Sequence, residues 1–544
     1  MTLRRSLSSI DCRAPQAVIR IFRTCTHAFA SILHVFTSLP SHQTVVMWSS
    51  RPKLTASAVG LLLTLVILNE LDLPDYAIPS QTNIEPEWHE ELAFSETFVA
   101  AKEEIEFLHQ IVLGRPEVDP VVEKTQQLKE VRICRRVRYM KPVIVAANKD
   151  WVQNGQWWLY SAHVDRRENS LFPGQNSVQI LVETFGKLPP KAPVCMLWYG
   201  SHVKAVEAVM RPIWQRAWDP RNSFYQSILV TCGLPDDAEP IAVSLTVDPC
   251  LSTVPQAVAV QSRRPTKSKS ETPSVAVCLK GLELLEDETP AIVEWIQFQL
   301  LMAADKVVVY VYTVPDRLNR ALSNLAKSDS VEVINLTLPA HSPSTPFTRH
   351  NFIWRNRQQK RRHELIPYND CFYRFSQTHD FVLIADYDEF VVPLKDDNYP
   401  QMLKRIRDAS PTLNTSSLAI RNVFRLKSFG ANESALLEVS KWNRRSAVIQ
   451  DKGISEKSFA STKTVASVFN HFALHRLHAG VTRTQHVDPE IALKLHFKSA
   501  CPSELGSRQC EAVNSESIVD TSIDRFLPEL EKRVTKVMAA VDLV

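Results

Sequence analysis

Glycine is scarce in this chain, with 12 residues in 544 against 33 prolines. That excludes glycine-rich flexible linkers and points to extended, proline-punctuated connections. No two cysteines stand in a C-x-x-C pair, which argues against a zinc cluster. The net charge of +4 is too small to mark a nucleic-acid surface. No apolar run reaches the roughly 20 residues of an average membrane span. What is present is a globular composition, 44% apolar and 22% charged, long enough for two or three domains.

Residues 54–68, LTASAVGLLLTLVIL, carry no charge. Arg51 and Lys53 precede them, and Glu70, Asp72 and Asp75 follow. The first 53 residues hold seven Lys or Arg and one acid, Asp11. That asymmetry keeps an amino terminus cytosolic. The reading is a short type II signal anchor over 54–71, suited to a thin early-secretory membrane. The rival is a cleaved signal peptide, but no small-x-small cleavage site follows. Residues 1–46, Arg- and Ser-rich, read either as a transit-like segment or as an extension upstream of a start at Met47. Eight of the ten cysteines lie beyond residue 70, an even number that fits an oxidising lumen. Cys501 with Cys510 is the plausible local pair.

Residues 72–127 read as a stem, Pro- and acid-rich and then helical over 91–113. From 128 to 260, short apolar runs separated by Pro and Asp/Asn clusters predict a β-rich domain. Within it WWLYSAHVDRR, residues 157–167, reads as a strand with a solvated end. Residues 261–274, QSRRPTKSKSETPS, read as a linker. After it the pattern alternates. Val275–Leu279 is a strand, Thr289 caps a helix opening on Pro290, and Lys306–Tyr312 is a strand. A helix carrying Leu318, Ala321, Leu322, Leu325 and Ala326 follows, then a strand over Val331–Leu336. This β-α-β-α-β order opens a parallel sheet with helices on its faces, a domain spanning 275–512. Residues 513–544 predict an amphipathic helix. Three N-x-S/T sequons, at Asn335, Asn414 and Asn432, support a lumenal body only mildly.

The stretch that carries chemistry is residues 381–393, FVLIADYDEFVVP. Five apolar residues read as a strand buried on both faces. Asp386, Asp388 and Glu389 follow at its carboxyl end, where open α/β sheets bind ligands. Three carboxylates this close repel, and a divalent cation on hard oxygen ligands would offset that. Such a cation could hold nucleotide phosphates. A bare D-x-D also occurs in many solvated loops. Five histidines, His471, His475, His478, His486 and His496, crowd the later sequence, and apolar runs predict strands carrying His471 and His496. A neutral imidazole could complete a metal shell.

Five blocks resemble glycosyltransferase family 92. Residues 277–312 are similar to the family's opening block, with a Cys near the first strand and then E-W-I-x-[FY]. Residues 368–393 resemble its most specific block at Asn369, Asp370, Cys371, Arg374, Asp386, Asp388, Glu389, Phe390 and Pro393. Residues 159–167 resemble its Y-S-A-x-x-D-x-R. Lys457 to His471 and His496-Phe497-Lys498 resemble later blocks. Departures are Gln299 for a frequent His, Met302-Ala303-Ala304 for L-G-V, and Phe497-Lys498 for Y-R.

The resemblance implies a GT-A-like (Rossmann-like) α/β domain, with a mostly parallel sheet flanked by helices, behind the smaller β-rich domain and the membrane anchor. It implies inverting, metal-dependent transfer of a hexose, most often galactose, from a UDP-sugar to a glycan on glycoproteins or glycolipids. The protein would be single-pass in the Golgi or ER–Golgi membrane, with its catalytic domain lumenal. Mn²⁺ (or Mg²⁺) would sit on Asp388, with Asp386 on the ribose or the metal and Glu389 beside them. His496, then His471, would be the carboxyl-terminal ligand. Arg374, Lys457 and Lys463 could meet phosphate. Glu433, Glu438, Asp451 and Glu456 are the candidate bases. Two other readings compete: a two-metal phosphoesterase, and an inactive relative that binds glycans or acts as a scaffold.

Overall fold

The computed structural model describes residues 125–542, apart from 215–218, 220, 265–270, 341, 411–413, 483 and 503–504. The expected anchor at 54–71 and nearly all of the stem lie outside the described residues. Among the described residues no helix is long and apolar enough to cross a membrane.

Ten strands between Val143 and Gln261 form one mostly antiparallel sheet. Its two long central strands, Trp157–Asp165 and Ser177–Phe185, are buried along almost their whole length. Alternation explains how both faces are covered. Leu159, Ile180 and Val182 pack into the domain's own core. Tyr160, Leu181 and Leu229 share a second core with Cys278, Tyr310 and Phe372 of the following domain.

This joint corrects the expectation of a solvated end at 157–167. Asp165 is fully buried because Arg167 pairs with it at 2.8 Å. The Arg167 guanidinium also lies over the Phe372 and Tyr373 rings, and it donates to the Val465 carbonyl at 2.8 Å. The aromatic-then-charged segment is therefore the seam between two domains.

The second domain begins with β1 (Val275–Glu283), α1 (Thr289–Leu301), β2 (Lys306–Thr313), α2 (Asp316–Leu325) and β3 (Val331–Asn335). Three helices follow, Pro346–Arg355, Arg357–His363 and Leu365–Phe375. Then come β4 (Phe381–Ala385), β5 (Glu389–Pro393), β6 (Ser417–Ile420) and β7 (Asn422–Leu426). Pro367 does not break its helix. It stands in the first turn, where the missing N–H has no intrahelical partner to lose. Thr289 is the first residue of α1 rather than its cap, and its amide donates to Asp287 Oδ1 at 3.0 Å.

With β8 (Lys457–Ser461), β9 (Gln485–His486) and β10 (Ala492–Lys498), the strands form two sheets. The larger runs in the order β3-β2-β1-β4-β8-β6-β9. Every pairing in it is parallel except the two that β8 makes. The smaller runs β5-β10-β7. The chain after β1 builds outward through β2 and β3, then returns to place β4 on β1's other side. The carboxyl ends of β1 and β4 therefore flank a topological switch point, the crevice where such sheets bind ligands.

The carboxyl-terminal helix runs Leu527–Asp542, shorter than expected, because Ser517–Val519 instead pairs with Arg444–Ser446. Leu530 and Val534 reach the same core as Trp295 and Phe298 of α1. Four disulfides, Cys134–Cys250, Cys195–Cys232, Cys278–Cys371 and Cys501–Cys510, pair all eight cysteines beyond residue 70.

Just past α1, Ala303 has φ of +58°. This left-handed position after a helix end favours glycine, which explains why a glycine stands there in the pattern the sequence resembles. Ala303→Gly relieves the Cβ clash, partly offset by glycine's greater freedom when unfolded. A gain of up to about 1 kcal/mol is expected in denaturant titration. Unchanged or lowered stability would show that the residue carries no strain.

Candidate active site

Between β4 and β5 the chain crosses from one sheet to the other through Asp386, Tyr387 and Asp388. Backbone bonds hold this turn: Glu389 N to Asp386 O at 3.1 Å, and Phe497 N to Asp388 O at 2.9 Å. Trp295 of α1 donates its indole N–H to the Glu389 carbonyl at 2.9 Å. Register places Glu389 directly opposite His496 on β10. The three acids therefore face one another where the two sheets meet.

Sequence reasoning left their repulsion to a cation. In the structure, four lysines offset it. Lys280, near the end of β1, approaches Asp386 Oδ1 to 2.7 Å. Lys457, at the start of β8 and wholly buried, lies 3.2 Å from Asp386 and 3.1 Å from Glu389, and also donates to the Asn470 side chain. Lys494 of β10, equally buried, donates to Glu389 at 2.5 Å. Lys498 reaches Asp388 at 2.6 Å. Three of the four were not among the expected site residues. The only signal for them was Lys498 in the departure at Phe497-Lys498.

Burial alone would raise the carboxyl pKa values, but the ammonium groups outweigh it. Lys280 and Lys457 hold Asp386 well below the usual carboxylate range. His496 and Lys498 do the same for Asp388. Lys457 and Lys494 bring Glu389 down to about 2. Burial, then Lys494, pushes His496 below the ordinary histidine range, while the Glu389 and Asp388 carboxylates pull the other way.

His496 Nε2 lies 3.7 Å from both Asp388 Oδ2 and Glu389 Oε1. The other expected ligand, His471, is not on a strand. It sits in the turn between Val465–Val468 and Ala473–Arg476. Its Nδ1 donates to the Glu456 carbonyl at 2.7 Å, and its Nε2 meets Asn470 at 3.3 Å. It thus borders the lysine shell rather than the acids.

Arg374 is not brought into this cluster. Its guanidinium is taken up by Asp370 at 2.9 Å, Glu332 at 3.1 Å and Asn148 at 2.6 Å. Asp370 in turn accepts from Tyr310 at 2.7 Å and meets His163 of the β domain at 3.0 Å. The Asn-Asp-Cys…Arg block therefore serves the domain seam and the Cys278–Cys371 disulfide. Lys463 is exposed and pairs with Asp380, at the far end of β4. Gln299 accepts from Tyr399 at 2.9 Å in the core, so that departure does not touch the site either.

Residues 273–536 match the sequence profile described as "Glycosyltransferase family 92". Residues 273–536 belong to glycosyltransferase family 92. The family is one of glycosyltransferases, and the match spans both sheets and every residue of the acid–lysine cluster. No curated protein matches the chain. Among solved structures, the crystal structure of HddC from Yersinia pseudotuberculosis is similar over 41% of this chain and 93% of that one. At 10% identity and a TM-score of 0.20, that likeness carries no argument.

Within the family 92 domain, the fit to a divalent cation is partial. Asp388 Oδ2 and His496 Nε2 stand 3.7 Å apart, an oxygen and an imidazole nitrogen, a pair that suits Mn²⁺ or Mg²⁺ when substrate oxygens and water complete the shell. Asp386 and Glu389 are committed to lysines. Among the described residues no group of three or more His, Cys, Asp or Glu side chains converges as a metal cluster. The two-metal phosphoesterase reading needed a second carboxylate cluster on neighbouring strands, and the described residues offer none.

Proposed function

We propose that the family 92 domain transfers a hexose, with galactose the first candidate, from a UDP-sugar to a glycan on glycoproteins or glycolipids, with inversion. The observation that carries this reading is the meeting of Asp388 and His496 beside two partly exposed cations, Lys280 and Lys498, at the switch-point crevice. That arrangement suits a diphosphate: ammonium groups for its charge, and a carboxylate–imidazole pair for the cation it brings. When bound, Mn²⁺ or Mg²⁺ supplies positive charge that neutralises the departing diphosphate. Asp388 and His496 would hold it. Lys280 and Lys498 face the same charge from the protein side, and Asp386 keeps Lys280 in place. The strand order of the larger sheet supports a GT-A-like domain. Four disulfides suit an oxidising lumen, and so favour a Golgi or ER–Golgi protein anchored type II through residues 54–71.

The test uses the full chain in detergent with a panel of UDP-sugars, pooled N-glycans and Mn²⁺. Release of UDP from one donor, dependent on acceptor and lost on adding EDTA, is the expected result. Binding of UDP without transfer from any donor would favour the inactive, glycan-binding relative instead.

A further inference from the structure

An inverting transfer needs a group to take the proton of the attacking hydroxyl, and none of the acids in the lysine cluster is free to do so. Of the four carboxylates the sequence offered, Glu433 and Asp451 are exposed surface residues. Glu438 is held by Lys441 at 2.8 Å and Trp442 at 3.1 Å. Glu456 differs from all of them. It is buried, and it immediately precedes Lys457, whose ammonium joins Asp386 to Glu389.

Glu456 does not face the solvent itself. Its carboxylate meets His486 Nδ1, at 3.0 Å for one oxygen and 2.9 Å for the other. Arg421 Nε stands 3.9 Å away on the same carboxylate while donating to the Gln450 carbonyl at 2.7 Å. The His486 side chain is 28% exposed. With Nδ1 turned to the carboxylate, Nε2 is left as the acceptor.

Register puts this pair at the ligand-binding edge. Lys457 opposes Ile420 across β8 and β6, and Ala419 opposes His486 across β6 and β9. Leu383 opposes Phe459, so Ala385 and Lys457 end their strands at the same level. The carboxyl ends of β4, β6 and β9 and the amino end of β8 thus line one rim. Three spacings of about 4.8 Å, from β4 through β8 and β6 to β9, put roughly 14 Å between the strand that leads to Asp386 and the strand that carries the imidazole, with both side chains reaching into the gap. That span accommodates a diphosphate-linked sugar ring and an incoming hydroxyl.

We propose that His486 is the general base of the transfer and that Glu456 is its positioning residue. The proposal rests on the glycosyltransferase reading above. The acceptor oxygen bonds to the anomeric carbon as that carbon's bond to the diphosphate oxygen breaks, and the electron pair leaves with the nucleoside diphosphate. The hydroxyl proton passes to His486 Nε2. Glu456, already on Nδ1, stabilises the imidazolium until it returns the proton to solvent. Glu456 also holds the ring so that Nε2 points outward, the role of the second member in acid–histidine pairs.

The test is kinetic, on the full chain, with the UDP-sugar it turns over and pooled N-glycans. Gln can still donate to Glu456, so His486→Gln is expected to keep the fold and the affinity for UDP within about twofold. Its kcat should fall roughly 100-fold or more. Glu456→Gln should lower kcat by about tenfold at unchanged donor KM, and added imidazole should restore part of the rate to His486→Ala. Rescue and the kcat-only loss are readouts that a structural role would not produce. If His486→Gln transfers within threefold of the unaltered chain, or loses UDP binding as well, this inference is overturned and the transferase reading stands. If the unaltered chain transfers from no donor, the transferase reading falls and takes this one with it.

Discussion

Asp388→Asn is expected to lower sugar transfer roughly 100- to 1,000-fold while leaving the fold intact. Asp388 is the acid that the lysines occupy least. Among the described residues Lys498 is the one lysine that pairs with it, its side chain keeps 26% exposure, and His496 Nε2 stands 3.7 Å away across the crevice. Asparagine has the same shape and still offers an oxygen to Lys498. What it loses is the charge that a cation and the crevice need. The thermal midpoint should stay within about 2 °C of the unaltered chain, because a partly exposed charge contributes little to stability. UDP affinity in the presence of Mn²⁺ should fall with the rate. Transfer within threefold of the unaltered chain would remove Asp388 from the machinery, and with it the reading of the Asp388–His496 pair.

The opposite pattern is expected at Lys457, where stability is at stake before activity. Its ammonium is wholly buried between Asp386 and Glu389, and among the described residues Lys494 is the only other lysine on Glu389. Lys457→Met removes the charge and leaves two buried carboxylates facing each other with less compensation. Breaking a buried pair in this way costs about 3–5 kcal/mol. A sharp fall in the denaturation midpoint should therefore accompany any loss of transfer. Adding Glu389→Gln to the same chain should recover part of the stability, since the stranded negative charge is then gone. If Lys457→Met unfolds at the same denaturant concentration as the unaltered chain, Lys457 is not holding the cluster together. The double variant separates charge from packing: a loss due only to the shorter polar reach of methionine would not be recovered.

Much of the catalytic domain was legible because its signals are local. The strand–helix alternation from Val275 to Leu336, the apolar run Phe381–Ala385 and the acids after it all follow from periodicity and from where charges interrupt it. The sequence also showed that His496 lies on a strand. It could not show that Glu389 faces His496, because that register joins residues 107 positions apart. Nor could it show that Phe390–Val392 leaves the first sheet for the second, since an apolar run does not say which sheet it joins.

The chain's own residues determined that three carboxylates stand at a strand's end and therefore need positive charge nearby. Only the tertiary structure decided where that charge comes from. Lys280, Lys457, Lys494 and Lys498 arrive from three different strands, and a lysine's pattern in sequence is the same whether it faces water or a buried acid. The same holds for Arg374, Asp165 and Arg167. They read as candidates for a ligand or for solvent, yet they meet partners across the domain seam. Charge pairing of this kind depends on distances of a few ångströms, which folding sets and one-dimensional order does not.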